Sequence, residues 1–268
     1  MITCFNYGRY LEAAVESALQ QEGGAPEIVV VDDGSTDPDT VTALDRLPPG
    51  VRVLRRDRSG VCVARNAGLA EARTPYVLVL DADDRLAEGV LAVLRRPLDA
   101  SPEVGFAYGH ARFFGDWQGV LRFPPYDEYR LLYRHIIGLS ALMRSQVVTD
   151  TGGYDPEFAH FEDWELWVNA LAHGWKGIQV DAVTLEYRQH AGSKVREDRR
   201  SYRHAFRRLR SKHAALYADR ARFARASSLG LLGRGAYRFF WGPRPLPARL
   251  ERGLQDLLWR PRKARVEP

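Results

Sequence analysis

Two periods alternate along the first hundred residues. Short apolar runs at Ile2 to Phe5, Glu27 to Val31, Val51 to Leu54 and Tyr76 to Leu80 read as strands. Between them, Leu11, Ala14, Val15, Ala18 and Leu19 share one face of a helix, a second helix is predicted over Pro38 to Leu47, and Val63, Ala67 and Ala70 give Gly60 to Arg73 helical spacing. The run Tyr76-Val77-Leu78-Val79-Leu80 is apolar on both faces, as a strand buried inside a parallel sheet must be. This alternation predicts an α/β fold: a mostly parallel central sheet with helices on both faces. Beyond Pro102 the pattern loosens, with strands expected near Val104 to Tyr108 and Ile178 to Val180 and a helix over Glu162 to His173.

Two strands end in acid: Val31 runs into Asp32-Asp33-Gly34-Ser35, and Leu80 into Asp81-Ala82-Asp83-Asp84. In open α/β sheets ligands bind beyond the carboxyl ends of the strands, so both clusters lie where a ligand is expected. Acidic residues after strands also serve as turn formers and helix N-caps, and that reading stands beside the functional one for Asp32-Asp33. Three carboxylates crowded after a buried strand repel each other unless a cation is present. A hard cation with few carboxylate ligands, several waters and diphosphate oxygens fits best, so the expected cofactor is Mg²⁺ or Mn²⁺.

Charge and composition divide the chain of 268 residues. From Lys194 onward there are 21 Lys and Arg against 6 Asp and Glu, and before it 18 against 28, so an acidic body carries a basic tail. An acidic body suits a divalent cation and repels a long polyanion, so nucleic acid is not an expected partner. Cys4 and Cys62 alone make neither a disulfide framework nor a zinc site, and no run of 18 apolar residues occurs. A reducing, cytoplasmic setting is expected, with peripheral placement at the inner face of a membrane as a further expectation.

Four segments in register, Thr3-Cys4-Phe5-Asn6-Tyr7-Gly8-Arg9-Tyr10-Leu11, Val31-Asp32-Asp33-Gly34-Ser35-Thr36-Asp37, Ala64-Arg65-Asn66-Ala67-Gly68 and Leu80-Asp81-Ala82-Asp83-Asp84, resemble the successive motifs of family 2 inverting glycosyltransferases of GT-A fold. The resemblance is strong to about residue 95, looser to about 195 and absent beyond. It implies a domain over 1–195, with a nucleotide-sugar half (1–95) and an acceptor half (96–195), followed by a basic, mainly helical extension over 196–268. It implies that Thr3, Phe5 and Asp33 contact the base and ribose of a nucleoside diphosphate sugar donor, that Arg65, otherwise readable as a surface helix residue, lies in the same nucleotide pocket, and that Asp81 and Asp83 hold the metal, with Asp81 also on the donor side.

Gly152-Gly153-Tyr154-Asp155 and Phe161-Glu162-Asp163-Trp164 are similar to the family's acceptor-side segment, which makes Asp163 the expected general base and Glu162 the alternative. Both also fit a simple acidic first turn favoured by the helix dipole. Tyr187-Arg188-Gln189-His190 resembles a segment whose His completes the metal site; a hydrogen-bonded structural His190 is the other reading. The activity implied is metal-dependent, inverting transfer of a sugar to an acceptor hydroxyl, in bacterial cell-surface glycan or glycoconjugate biosynthesis. The acceptor stays open among glycan, lipid-linked and small-molecule classes.

Family members carry a longer first strand than the one that Met1 begins here, so a start several residues upstream is expected. Two rival classes are a haloacid-dehalogenase-like phosphatase and a non-catalytic nucleotide- or nucleic-acid-binding module. The phosphatase motif wants Thr or Val where Arg85 stands and leaves Asp32-Asp33 without a role.

The tail predicts a helix over Glu197 to Asp219 with Tyr202, Phe206, Leu209 and Leu216 inward, and a leucine stripe at 246, 250, 254, 257 and 258. It reads either as a basic amphipathic surface for an anionic membrane or as helices packed on the catalytic domain or a second subunit.

Overall fold

The structure is a computed structural model that describes residues 1–22, 26–138, 140–158, 161–190 and 199–240. The leucine stripe from 246 onward lies outside the described residues.

The chain runs β1 (Ile2–Cys4), α1 (Gly8–Leu19), β2 (Val29–Asp32), α2 (Pro38–Asp45), β3 (Arg52–Arg55), α3 (Val61–Ala70), β4 (Tyr76–Leu78), β5 (Leu80–Asp81), β6 (Arg85–Leu86) and α4 (Val90–Ala100). There follow β7 (Val104–Gly115), β8 (Gly119–Leu121), α5 (Glu128–Tyr133), β9 (Leu142–Arg144), α6 (Ser145–Thr151), α7 (Glu162–Ala172), β10 (Lys176–Gln189), α8 (Arg199–Lys212), α9 (Ala214–Ala218), α10 (Arg220–Ala226) and α11 (Leu231–Phe240). Helix α1 buries Leu11, Ala14, Val15 and Ala18 as expected, whereas Leu19, placed on the same face from the sequence, lies in the last turn and is exposed. Asp37 caps α2 by accepting from the Thr40 amide, with Pro38 just inside the start.

The first sheet is parallel throughout, in the order β3-β2-β1-β5, and every residue of β2 is buried. The second is mixed, β4-β9-β7-β10-β6, with β8 paired to β7. The predicted single strand over residues 76–80 is divided at Val79. Its first part pairs antiparallel with β9, and its second part moves to the other sheet and runs parallel to β1. Apolarity on both faces correctly predicted burial but carries no information about which neighbour each half pairs with.

Alternation then sorts the side chains into two cores. Val77, Val79, Phe106, Tyr108 and Met143 join α3, α5, α6 and α7 on one face, whereas Leu78, Leu80, Ala107 and Leu142 join α1 and α4 on the other. Helices therefore cover both faces. The strands expected near 104–108 and 178–180 are much longer, pairing in parallel from Val104 to Gly115 and Lys176 to Gln189. Polar residues such as Arg112 and Asp181 interrupt their apolar pattern.

The helix expected over 197–219 is α8 plus α9, broken at His213. Ala205, Phe206 and Leu209 are buried, and the Tyr202 ring stacks 5.1 Å from Trp164 of α7, so this part of the tail shares a core with the body. On α11 Tyr237 packs against the same core, while Leu231, Leu232 and Phe239 are 81%, 91% and 58% exposed. Among the described residues no helix is long and apolar enough to cross a membrane.

Candidate functional site

The site is assembled at the carboxyl ends of β1, β2 and β5, with the start of α7 and the end of β10 facing them. Pairing of β1 with β5 sets Thr3 opposite Asp81, and the Thr3 hydroxyl donates to Asp81 Oδ1 at 3.0 Å. Arg65 reaches the same carboxylate from α3, at 3.0 Å, and extends its other arm to Glu162 (3.1 Å) and Asp163 (3.3 Å) at the start of α7. One guanidinium, 3% exposed, thus joins the acidic turn after β5 to the acidic pair of the acceptor-side helix. Burial works against its charge, but Asp81, Asp163 and Glu162 more than reverse this and hold it protonated well above the ordinary range. Its Nε, and Oε2 of Glu162, have no hydrogen-bond partner among the described residues.

What brings α7 to this place is a turn. Gly153 has φ +81°, and a Cβ there would meet Asn66 Oδ1 at 2.4 Å. The missing side chain lets Asn66, next to Arg65, take both main-chain groups of Tyr154: its Nδ2 donates to the carbonyl, and its Oδ1 accepts from the amide.

Asp81, Asp83 and Asp84 each offer an oxygen, all within 4.8 Å of one another. Burial, reinforced by the charge of Asp81, raises the carboxyl of Asp83; burial and the charges of Asp83 and Asp81 raise that of Asp84 well above the ordinary range. Oδ2 of Asp84 is buried without a partner among the described residues. An all-oxygen set under mutual repulsion fits a hard divalent cation, which would relieve that repulsion. His190 Nε2 lies 3.1 Å from Asp83 Oδ2. Arg188 ties the end of β10 to the same acidic turn: its amide donates to Asp84 Oδ1 (2.8 Å) and its Nε to the Asp83 carbonyl (2.8 Å). Tyr7 and Tyr10 flank the imidazole with ring centroids 5.6 and 5.4 Å away.

Thr3, Arg65, Asp81 and Asp163 therefore form one connected network, and Asp83 and His190 a second that shares the same turn. Phe5 and Asp33 sit apart from both. Asp33 is buried and accepts from the Ser59 amide (2.8 Å), the Ser59 hydroxyl (3.0 Å) and the Gly60 amide (3.0 Å), which fixes the loop leading into α3. A carboxylate offers about four acceptor positions, so one is left for a ligand. The Phe5 ring carries the Arg58 guanidinium 3.6 Å from its centroid. Arg58, Asp84, Arg188 and Tyr10 had no assigned role from the sequence. Asp84 and Arg188 lie inside recognised motifs, which is the signal that could have found them; Arg58 lies in a loop with no pattern.

Comparison with known proteins gives this arrangement a family. A family model described as Glycosyl transferase family 2 matches residues 1–147. The UDP-Glc:alpha-D-GlcNAc-diphosphoundecaprenol beta-1,3-glucosyltransferase WfaP of Escherichia coli is 30% identical over 72% of this chain and 77% of its own. An uncharacterized protein, MT1568, of Mycobacterium tuberculosis is also 30% identical, over 63% of this chain, and the match spans only 60% of that protein's length. Among solved structures, S. aureus TarS 1-349 in complex with UDP-GlcNAc superposes with a TM-score of 0.64 at 17% identity, covering 88% of this chain and 68% of that one, a likeness of fold. With the family model spanning more than half of the chain, the chain belongs to glycosyl transferase family 2.

Proposed function

We propose that this glycosyltransferase moves a sugar from a uridine diphosphate sugar to an acceptor hydroxyl with inversion, using a divalent cation at the acidic turn and Asp163 as general base. The observation that carries this is the Arg65 bridge, which sets Asp81 and Asp163 within hydrogen-bond reach of a single guanidinium. The donor end and the acceptor end of the reaction then meet in one place. UDP is favoured as the carrier because WfaP is named for UDP-Glc and TarS was solved with UDP-GlcNAc.

The chain's own residues supply the rest. Asp163, in the first turn of α7 and less buried than Glu162, takes the proton of the acceptor hydroxyl as that oxygen attacks the anomeric carbon from the face opposite the leaving diphosphate. Thr3 and Arg65 hold Asp81 in place for the donor side. A Mg²⁺ or Mn²⁺ bound by Asp81 and Asp83, with His190 beside them, would offset the charge of the departing diphosphate.

The outward apolar face of α11, in a tail rich in arginine, supports a second element: the enzyme meets an anionic membrane and takes a lipid-linked acceptor there. WfaP is named for an acceptor of that kind. One experiment covers both elements, using UDP-glucose and UDP-GlcNAc with anionic vesicles that carry a polyprenyl diphosphate sugar. UDP release is expected to require Mn²⁺ or Mg²⁺ and to stop with EDTA, and a triple Leu231→Ser, Leu232→Ser, Phe239→Ser variant is expected to lose co-sedimentation with the vesicles. Release that continues in EDTA contradicts the metal, and equal co-sedimentation by the triple variant contradicts the membrane face.

A further inference from the structure

The basic tail contributes a buried contact to the helix that carries the candidate base. Glu165 of α7 is fully buried, and its Oε1 is met by Nζ of Lys212, the last residue of α8, at 2.8 Å and by Nε2 of His213, between α8 and α9, at 2.9 Å. Lys212 also bonds Asp155 Oδ2 at 2.7 Å, in the turn that Asn66 grips from the other side through Tyr154. A helix turns about 100° per residue, so Glu165 projects about 200° round the axis from Asp163. The first turn of α7 is thus held from two sides: by Arg65 through Glu162 and Asp163, and by Lys212 and His213 through Glu165.

We propose that Lys212 and His213 are positioning residues for the reaction, an ammonium and an imidazole of the tail that together seat α7 so that Asp163 faces the donor. The inference rests on the reading of Asp163 as general base. A carboxylate with no exposure needs a compensating partner, and without one it either takes a proton or drags its helix toward water. Movement of α7 would carry Asp163 with it, and a displacement of about 1 Å at a reacting group can cost roughly 100-fold in rate. The tail then serves the chemistry directly, in addition to any surface it offers. The pairing joins residues 48 positions apart and leaves no local pattern in the sequence.

The full chain carrying Lys212→Met is expected to lose roughly 10- to 100-fold in kcat, with KM for the UDP-sugar and the Kd for UDP unchanged, because nothing on the nucleotide side is touched. Lys212→Arg restores most of the rate by keeping a cation beside Glu165. Adding Glu165→Gln to Lys212→Met also recovers rate, since a buried charge left with His213 alone has gone; a contact that served stability only would lower the thermal midpoint of Lys212→Met and leave kcat per folded molecule unchanged. This double variant keeps the test available if Lys212→Met folds poorly. An unchanged kcat in Lys212→Met, or equal losses of kcat and UDP affinity in every variant, overturns the positioning role. The two readings fail separately: a wild-type rate in Asp163→Asn overturns the base and this inference with it, whereas an inactive Asp163→Asn beside a fully active Lys212→Met overturns the inference alone.

Discussion

Asp163→Asn is expected to lower kcat by about 10²- to 10⁴-fold, the usual contribution of a positioned general base, while UDP binding and the thermal midpoint stay close to wild type. The amide keeps the shape of the side chain and its ability to accept from Arg65, but it cannot take a proton. Arg65 still bonds Asp81 and Glu162, so the network survives the change. Steady-state turnover with saturating donor, next to calorimetric titration with UDP, separates the two effects. Should Asp163→Asn keep its rate and Glu162→Gln lose it, the base is Glu162. Glu162 is the slightly more enclosed of the pair, with one buried oxygen unpartnered among the described residues.

The second large effect is on folding. Arg65→Met leaves Asp81, Glu162 and Asp163 converging on an apolar stem, three carboxylates that shared one buried cation. Removing one partner from a buried ionic cluster costs roughly 3–5 kcal/mol. At about 2–4 °C per kcal/mol for a chain of this size, the thermal midpoint is expected to fall by about 6–20 °C, with activity lost as well. Arg65→Lys keeps the charge but has a single nitrogen to offer, so it falls between the two. A thermal scan at neutral pH decides: a midpoint within 2 °C or so of wild type in Arg65→Met, less than about 1 kcal/mol, would mean that the three acids are solvated and that the cluster is not the junction described.

Much of this was legible in the sequence because the chemistry is local. Asp81 and Asp83 announce themselves by following a run too apolar to lie anywhere but inside a sheet, and strand-end placement in an α/β fold gives them their position. Asp163 and His190 were legible only through motif resemblance, since a helix-start acid and a lone histidine each have ordinary structural uses. The structure shows Asp163 meeting Arg65 and His190 meeting Asp83. The rest depends on long-range pairing. Nothing within residues 76–80 states that the chain changes sheets at Val79, because the pairing partners, β9 and β1, lie far along the sequence on either side. The lengths of β7 and β10 were hidden by the polar and charged residues among their apolar ones. Asp33 was read as a ligand for the donor, and its place at a strand end is as expected. That three of its acceptor positions are taken by the loop at Ser59 and Gly60 depends on where that loop folds.

The tail shows the same limit from the other side. Its charge was plain from composition, and the inward positions Phe206 and Leu209 were read correctly from helical spacing. Lys212 and His213 have no assignment from the sequence, where nothing local sets them apart from the rest of the basic helix. Their meaning depends on Glu165, an acid with no exposure on a different helix.

If the turn Asp81 to Asp84 holds a divalent cation that secures a nucleoside diphosphate, metal and nucleotide must bind together. Calorimetric titration of UDP into the full chain, with and without Mn²⁺, on wild type and Asp83→Ala, tests it most directly. Because cation and nucleotide share the site, each must tighten the other's binding by the same factor. Mn²⁺ is expected to strengthen UDP binding in the wild type, and Asp83→Ala, still folded, to show no gain. UDP binding equally with and without the metal, or a gain of the same size in Asp83→Ala, would contradict it.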